Sequence, residues 1–515
     1  MAVADGRISA VGDAVAADIT VDLDGATLLP GFRDGHIHPL WGGTETLDAG
    51  VVEARDLDDL IERVARHAAA NGAAPWVVGH GYPCEVLPGA VGRAEWLDAA
   101  VADRPVALWA SDHHTMWVNT AALAVAGITD ATPDPPAGQI VRDEDGHAVG
   151  TLREEAMELV ARLVPPRTAA DKTRGLTIAL EQMAAAGIVW AQEAALSPDD
   201  VGIYLELAQA GCLTAGINIA LRVDPQRWRD QLGEFVATRD TVDRAAARCH
   251  DAGLVGGRVS ARSVKLFADG VIESGTGALL EPYVDAPDSC GIANWSDSDL
   301  ADAVTAFDAA GFQAHIHAIG DAAVRSSLDA LDASDRRNGP RDRRGVIAHT
   351  QLVHPDDHKR FAAADVIANF EPLWAQRSPV MTELTEPRLG TERSALQYPI
   401  GSLLRSGAPV SFGSDWPVSS MNPMEGIAAA VTRQTPEGQP PGGWVPQERL
   451  TLAEAVAAYT RGTAYQAFDD GAGMLTQGAP ADLVVLDGDL VEMEPAALAD
   501  VRVVSTWTNG VQVFG

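Results

Sequence analysis

Hydrophobic and polar positions along the chain keep two rhythms. At the amino end, GRISAVG (residues 6–12) and ADITVDLDGATLLPG (residues 17–31) read as short strands with turns. Within them, Ile19-Thr20-Val21-Asp22-Leu23 alternates with the period of two expected of a half-buried strand. At the carboxyl end, ADLVVLDGD (481–489) and VRVVSTWTNGVQVFG (501–515) behave alike, and Asn509-Gly510 between β-rich runs predicts a hairpin. The middle of the chain alternates between element types instead. RPVALWA, GIVWAQEA, SVKLFADG, FQAHIHAIGD, RRGVIAHTQ, ADVIANFEP and APVSFGSDWP follow one another as strand-like runs, with helical stretches such as SDLADAVTAFDAAG and AAVRSSLDALDASD between several of them. Strands that take turns with helices predict a parallel sheet, open or closed. The Pro/Gly-rich residues 435–445 predict a surface loop.

Length and composition narrow the class. The chain has 515 residues, 46% of them hydrophobic, which suits a large barrel of about 250–400 residues with insertions. It contains no apolar run of about 18 residues, and Asp5 and Arg7 stand where a signal peptide would need an apolar stretch. The expectation is a soluble, cytoplasmic protein with no membrane partner. Cys84, Cys212, Cys249 and Cys290 show no paired spacing, which argues against a disulfide framework or a thiolate zinc site. A formal charge of −34 argues against nucleic acid held through its phosphates. The acidity is spread along the chain without forming a tail, so it reads as a solvated surface.

Candidate chemistry gathers in five segments, each at or just beyond the carboxyl end of an expected strand, where barrels collect their catalytic residues. In LPGFRDGHIHP, His36 and His38 are two apart and can reach one ion from the same side of a strand. SVKLFADG places Lys265, one of only three lysines, in an apolar strand. There it either pairs with a carboxylate or is held neutral as an amine that can react with carbon dioxide. FQAHIHAIGD offers His315 and His317, again sharing a face, with His317 nearer the carboxyl end. GVIAHTQ ends in His349, and VSFGSDWP delivers Asp415, a carboxylate suited to ligating metal and moving protons.

The order His-x-His, Lys, His, His, Asp resembles the amidohydrolase superfamily. PGFRDGHIHP, HAIGD, IAHTQ, SDWPV and GAGMLTQGAPADLVVLDGD together resemble its amidohydrolase-3 branch, which includes the N-substituted formamide deformylases. The resemblance implies an α/β fold: a (β/α)8 TIM-type barrel over residues 29–471 with an inserted subdomain at about 60–170. It also implies a small β-sandwich built from residues 1–28 and 472–515. It implies that His36 and His38 hold one divalent ion, with zinc expected. His317 and His349 would hold a second ion or orient substrate, a carboxylated Lys265 would bridge, and Asp415 would act as ligand and general base. The implied reaction is cleavage of a C–N bond in a small, partly apolar amide or N-formyl/N-acyl amine by a metal-bound hydroxide. Cyclic amide opening and deamination use the same parts, and a non-catalytic regulator keeping the fold is the contrasting class. The expected partner is a small-molecule substrate, and a homodimer is compatible with it.

DHHTMWVN (112–119) resembles the family's His-x-x-Trp-Val-Asn stretch through His114, Trp117 and Asn119. His114 and Trp117 are substrate-pocket candidates, as is His80 in GHGY. Trp41, Trp374 and Trp416 follow segments expected to open onto the active-site face, and aromatic walls of this kind suit an apolar substrate group. Two departures stand out. Met1 begins inside what is usually the second strand of the sandwich, and Val189-Trp190 stands where a small hydroxyl residue is more usual.

Overall fold

Eight short apolar strands, each flanked by helical sequence, form one all-parallel sheet in the computed structural model, which describes residues 1–12, 15–111, 115–135, 138–251, 254 and 258–515. In chain order they are β1 (Phe32–Ile37), β2 (Ile188–Leu196), β3 (Gly216–Arg222), β4 (Val259–Phe267), β5 (Gln313–Ala318), β6 (Val346–His349), β7 (Ile367–Phe370) and β8 (Val410–Phe412). Each pairs in parallel with its successor. Helices such as Val201–Gln209, Trp228–Asp251, Asp297–Ala309 and Asp321–Asn338 lie between consecutive strands. This is the (β/α)8 barrel that alternating β and α runs allow.

The barrel closes where β1 meets the residues after β8. Ser414 N and Asp415 N donate to His36 O at 3.2 and 2.7 Å, and His38 N donates to Trp416 O at 2.9 Å. Gly413 makes this approach feasible, because a Cβ there would lie 2.6 Å from His36 N and 2.9 Å from its Cβ.

The barrel interior is polar one level below the carboxyl ends of the strands. Residues two apart share a face, so Ser263 sits below Lys265, Gln313 below His315 and Asn369 below Glu371. Asn218 Nδ2 donates to Gln192 Oε1 and to Ser263 Oγ, both at 2.8 Å, and Ser263 Oγ donates to Gln313 Oε1 at 2.7 Å. On the other side Asn369 Nδ2 donates to Ser411 Oγ at 3.0 Å, Ser411 Oγ to Gln466 Oε1 at 2.6 Å, and Gln466 Nε2 to Gly35 O at 2.8 Å. Gln313 Nε2 joins the two arcs through Gln466 O at 3.0 Å.

Thr27–Pro30, Leu483–Leu486, Val503–Thr508 and Val511–Phe514 form a four-stranded antiparallel sheet, and Ala2–Ala4 pairs with Arg7–Ala10 as a hairpin. Asn509 and Gly510 both take positive φ in the turn between the last two strands, as the Asn-Gly signal predicts. The strand expected over residues 19–23 does not form. That segment pairs with no strand and leaves Ile19 83% exposed, and its alternation has no facing sheet to bury it.

Residues 40–179 make a second compact unit, the first being residues 1–39 and 180–515. The second unit carries a five-stranded mixed sheet in the order Val77–Tyr82, Val106–Ala110, Thr115–Val118, Ala148–Glu154, Gly138–Arg142. Both faces of this sheet are covered: Val106, Leu108 and Ala110 join one apolar cluster and Ala107 the other. Cys212, Cys249 and Cys290 form no disulfide. Among the described residues no helix is long and apolar enough to cross a membrane.

Gly413→Ala should lower the thermal unfolding midpoint by the equivalent of about 1–3 kcal/mol, the usual cost of overpacking, as read by calorimetry. An unchanged midpoint would show that the seam yields without strain.

Candidate metal centre

Four strand ends and the seam loop bring His36, His38, Lys265, His315, His349 and Asp415 together. Parallel register sets the levels: Lys265 faces His315 across β4 and β5, and Phe267 faces His317. His36 is the hub. Its Nδ1 lies 2.9 Å from His315 Nε2, while its Nε2 lies 3.1 Å from Lys265 Nζ and 3.5 Å from Asp415 Oδ1. His38 Nε2 lies 3.0 Å from the same Asp415 oxygen, with His38 Nδ1 3.6 Å from Glu193 Oε1. His349 Nδ1 lies 2.9 Å from Glu371 Oε2, and the Trp374 ring stacks on the imidazole at 5.6 Å.

His36, His349 and Asp415 are all buried, and each offers a ligand atom within 4.8 Å of the others. The set fits a divalent cation. Asp415 Oδ1 accepts no aligned hydrogen bond although two imidazole nitrogens approach it, and His315 Nδ1 and Glu371 Oε1 are likewise buried without hydrogen-bond partners. A buried carboxylate oxygen with imidazole nitrogens around it and no aligned hydrogen bond is what an ion would satisfy. His349 and Asp415 also hold positive φ values of 73° and 52°. Non-glycine residues in this region carry about 1–3 kcal/mol of strain each, which collects at functional sites.

His317 lies beside that cluster. Its Nε2 lies 3.1 Å from Gly270 O and 3.6 Å from Asp269 Oδ1, and its ring packs 4.5 Å from His349.

Burial sets the protonation states. It holds His36, His315 and His317 well below the ordinary imidazole range, with the Lys265 charge adding to it at all three. Burial also pushes His349 down to about 3. These rings therefore stay neutral and keep a lone pair for a ligand. At His38 burial opposes the charge, but the Asp415 and Glu193 carboxylates outweigh it and hold the ring up at about 9. Burial lowers Lys265 to about 8. Among the described residues no carboxylate lies within ion-pair distance of Lys265, while the Asp415 and Glu371 charges act against the effect of burial. Asp415 and Glu371 are pushed apart. Burial opposes ionisation of Asp415, but its contact with His38 keeps it below the usual carboxylate range, while burial and the Asp415 charge drive Glu371 well above.

Three carboxylates escape the sequence reading: Glu193, Glu371 and Asp269. Glu193 and Glu371 lie within or just after apolar barrel strands, the same signal that singles out Asp415. Asp269 follows β4 and accepts from Ile319 N at 3.0 Å and from Gly320 N and Ala278 N, both at 2.8 Å, which pins the turn after β5.

The remaining candidates are placed as follows. Trp416 gives its carbonyl to His38 N and lines a cavity of about 530 Å³ with Gln182, Met421 and Val501. In the second unit, Trp41 is exposed and its indole donates to Glu45 Oε1 at 2.6 Å. His80 Nδ1 lies 3.0 Å from Asp48 Oδ2, and its ring stacks on Trp109 at 4.6 Å. Trp117 is fully buried between Tyr82 and Trp96, with its indole donating to Arg93 O at 3.0 Å, because both faces of its sheet are covered. Asn119 is buried and caps the helix Thr120–Ala126. His114 lies outside the described residues. Val189 and Trp190 pack on Gly31 and Arg33 near the amino ends of β1 and β2, so that departure falls away from the centre.

A closed parallel barrel whose strands deliver neutral imidazoles, a lysine and a carboxylate to one buried point defines a barrel suited to holding a divalent ion. The chain belongs to the amidohydrolase family, whose sequence profile matches residues 20–514. It is similar to the N-substituted formamide deformylase of Arthrobacter pascens, at 27% identity over 99% of this chain and 93% of that protein. It is also similar to the protein LONG AFTER FAR-RED 3 of Arabidopsis thaliana, at 28% identity over 100% of this chain and 88% of that one. The solved structure of an uncharacterized metal-dependent hydrolase from Pyrococcus horikoshii OT3 shares the fold, with a TM-score of 0.72 and 23% identity over 92% of this chain and 89% of that one.

Asp269→Asn should cost about 1–3 kcal/mol, because an amide nitrogen would face backbone N–H groups now bonded to carboxylate oxygens. The thermal midpoint, read on metal-free protein, checks this; no shift would mean that the turn after β5 is held by other contacts.

Proposed function

We propose that this chain is a metal-dependent hydrolase that cleaves a C–N bond in a small, partly apolar amide or N-formyl/N-acyl amine. The observation that supports it most is the convergence of His36, His349 and Asp415 on one buried point in a chain of the amidohydrolase family. These three residues would hold the ion, with His38 beside Asp415. Zinc is the first ion to test, since imidazole and carboxylate donors suit it. When bound, such an ion polarises a carbonyl and lowers the pKa of its water from 15.7 to about 7.

The side chains then divide the work. Asp415, kept ionised by His38, takes a proton from water as the water oxygen bonds to the carbonyl carbon. It returns that proton to the departing nitrogen as the C–N bond breaks, giving a carboxylate and an amine. Glu371 holds His349 through Nδ1, which directs Nε2 inward. Trp374, stacked on His349, offers an apolar wall beside the reacting bond. In a two-ion form, His317 and Lys265 would complete the second set. The Lys265 amine would add to carbon dioxide and lose a proton to become a carbamate. The partner is a small molecule, with neither nucleic acid nor membrane required, and a homodimer is the assembly to test.

Protein purified without added metal should carry about one to two equivalents of divalent ion per chain by elemental analysis. Lys265→Ala should reduce both metal content and turnover, with partial recovery on adding bicarbonate and a short carboxylic acid. Full metal loading in that variant would rule out a bridging lysine.

Asp415→Asn keeps the shape and removes the basicity. Hydrolysis of the best substrate in a panel of N-formyl amines, N-acyl amines and cyclic amides should fall by about 10²–10⁴-fold, with the fold retained by circular dichroism. Activity within about threefold of wild type would move proton transfer to another group.

A further inference from the structure

Arg222 ends β3 on the level of Lys265. The two are register partners, and Val223 N donates to Lys265 O at 2.9 Å. Register partners in a parallel ladder point to the same face, so Arg222 shares the barrel-ward side of Lys265. Its guanidinium lies over the Phe267 ring, 5.4 Å from the centroid. Phe267 in turn packs 5.3 Å from His317, and His317 packs 4.5 Å from His349. A continuous path of rings thus runs from the candidate centre to one cation at the carboxyl end of the strands.

The protein carries 72 acidic residues against 38 Lys and Arg, and guanidinium groups such as those of Arg258, Arg344 and Arg360 sit on carboxylates at 2.6–2.7 Å. Arg222 is exposed, and among the described residues it has no carboxylate within ion-pair distance. An aromatic ring beneath a guanidinium orients its plane and leaves the N–H edge free, in the fork geometry that matches a carboxylate. Long-range attraction cannot bring an anion to a protein of charge −34. Screening confines each charge to about 8 Å at physiological salt, so an anionic group is received only where a local cation meets it.

We propose that Arg222 is a specificity-determining residue that receives a carboxylate of the substrate, so that the substrate class is an amide carrying a carboxylate, such as an N-acylated amino acid. This rests on the hydrolase reading and narrows it. Phe267, which packs under Arg222 and against His317, lines the stretch between the carboxylate and the scissile bond, which suits an apolar side chain there.

The test compares N-formylphenylalanine with N-formylphenylalaninamide, which differ only in the charge at the carboxyl end, on zinc-loaded wild type, Arg222→Met and Arg222→Lys of equal metal content. Wild type should prefer the carboxylate by at least about tenfold in kcat/KM, as a charge-assisted hydrogen bond provides. Arg222→Met should bring the ratio below about threefold, mainly through KM, and Arg222→Lys should fall between, since it keeps the charge without the fork. A ratio unchanged in Arg222→Met, or a wild type that prefers the carboxamide, overturns the proposal. If neither compound is hydrolysed, the hydrolase reading loses its support, and calorimetric binding of the same two compounds decides Arg222 alone. Tenfold weaker binding of the carboxylate to Arg222→Met then supports the role, and equal or absent binding rejects it.

Discussion

The hydrogen bonds from Asp415 N and Ser414 N to His36 O, with that from His38 N to Trp416 O, close the barrel and assemble its candidate centre in the same few contacts. His36 and Asp415 come within 3.5 Å because the seam runs between them. The backbone accepts unfavourable conformations to make this possible, with left-handed φ at both Asp415 and His349. Strain of this kind persists only where the surroundings over-determine it. Here the surroundings include Asp34, whose Oδ1 accepts from His36 N at 3.0 Å and from Ser414 N at 3.1 Å, so that it ties the two sides of the seam together.

Below the centre the barrel departs from the usual layers of branched aliphatic side chains. Gln192, Asn218, Ser263 and Gln313 on one side, and Asn369, Ser411 and Gln466 on the other, link strands through buried amides and hydroxyls. Hydrogen bonds have direction where apolar contacts do not. The belt therefore specifies how each strand is rotated about its axis, and with it the aim of the residue two positions further along.

Much of this was legible in the pattern of residues, and the rest had physical reasons to be hidden. His36, His38, Lys265, His315, His317, His349 and Asp415 stand out because a polar group at the end of an apolar strand is costly without a use. Glu193 and Glu371 carry the same signal but lack the paired spacing of the histidines. β3, GINIALR, has no titratable residue before Arg222 and no strong alternation, so the pattern does not mark it. Closure of the sheet depends on which strand meets which, and that is a property of register across hundreds of residues. The alternation at Ile19–Thr20–Val21–Asp22–Leu23 describes one strand face but cannot supply the neighbour that would bury it. Trp117 illustrates the converse: its motif suggests a pocket, while its burial follows from a sheet covered on both sides.

β1 has one more consequence, which concerns the order in which the protein can be made. It pairs with β2 on one side and reaches the β8 end on the other, the contact between Asp34 and Ser414 spanning 380 residues. At about 5–20 residues per second, the ribosome takes on the order of 20–80 s to cover that span. Throughout that time His36 and His38 exist on a strand whose second edge is open. The earliest barrel strand to emerge is thus the last to be enclosed, and a nascent chain that stops short of Asp415 leaves the tunnel with its histidines in place and its barrel unsealed.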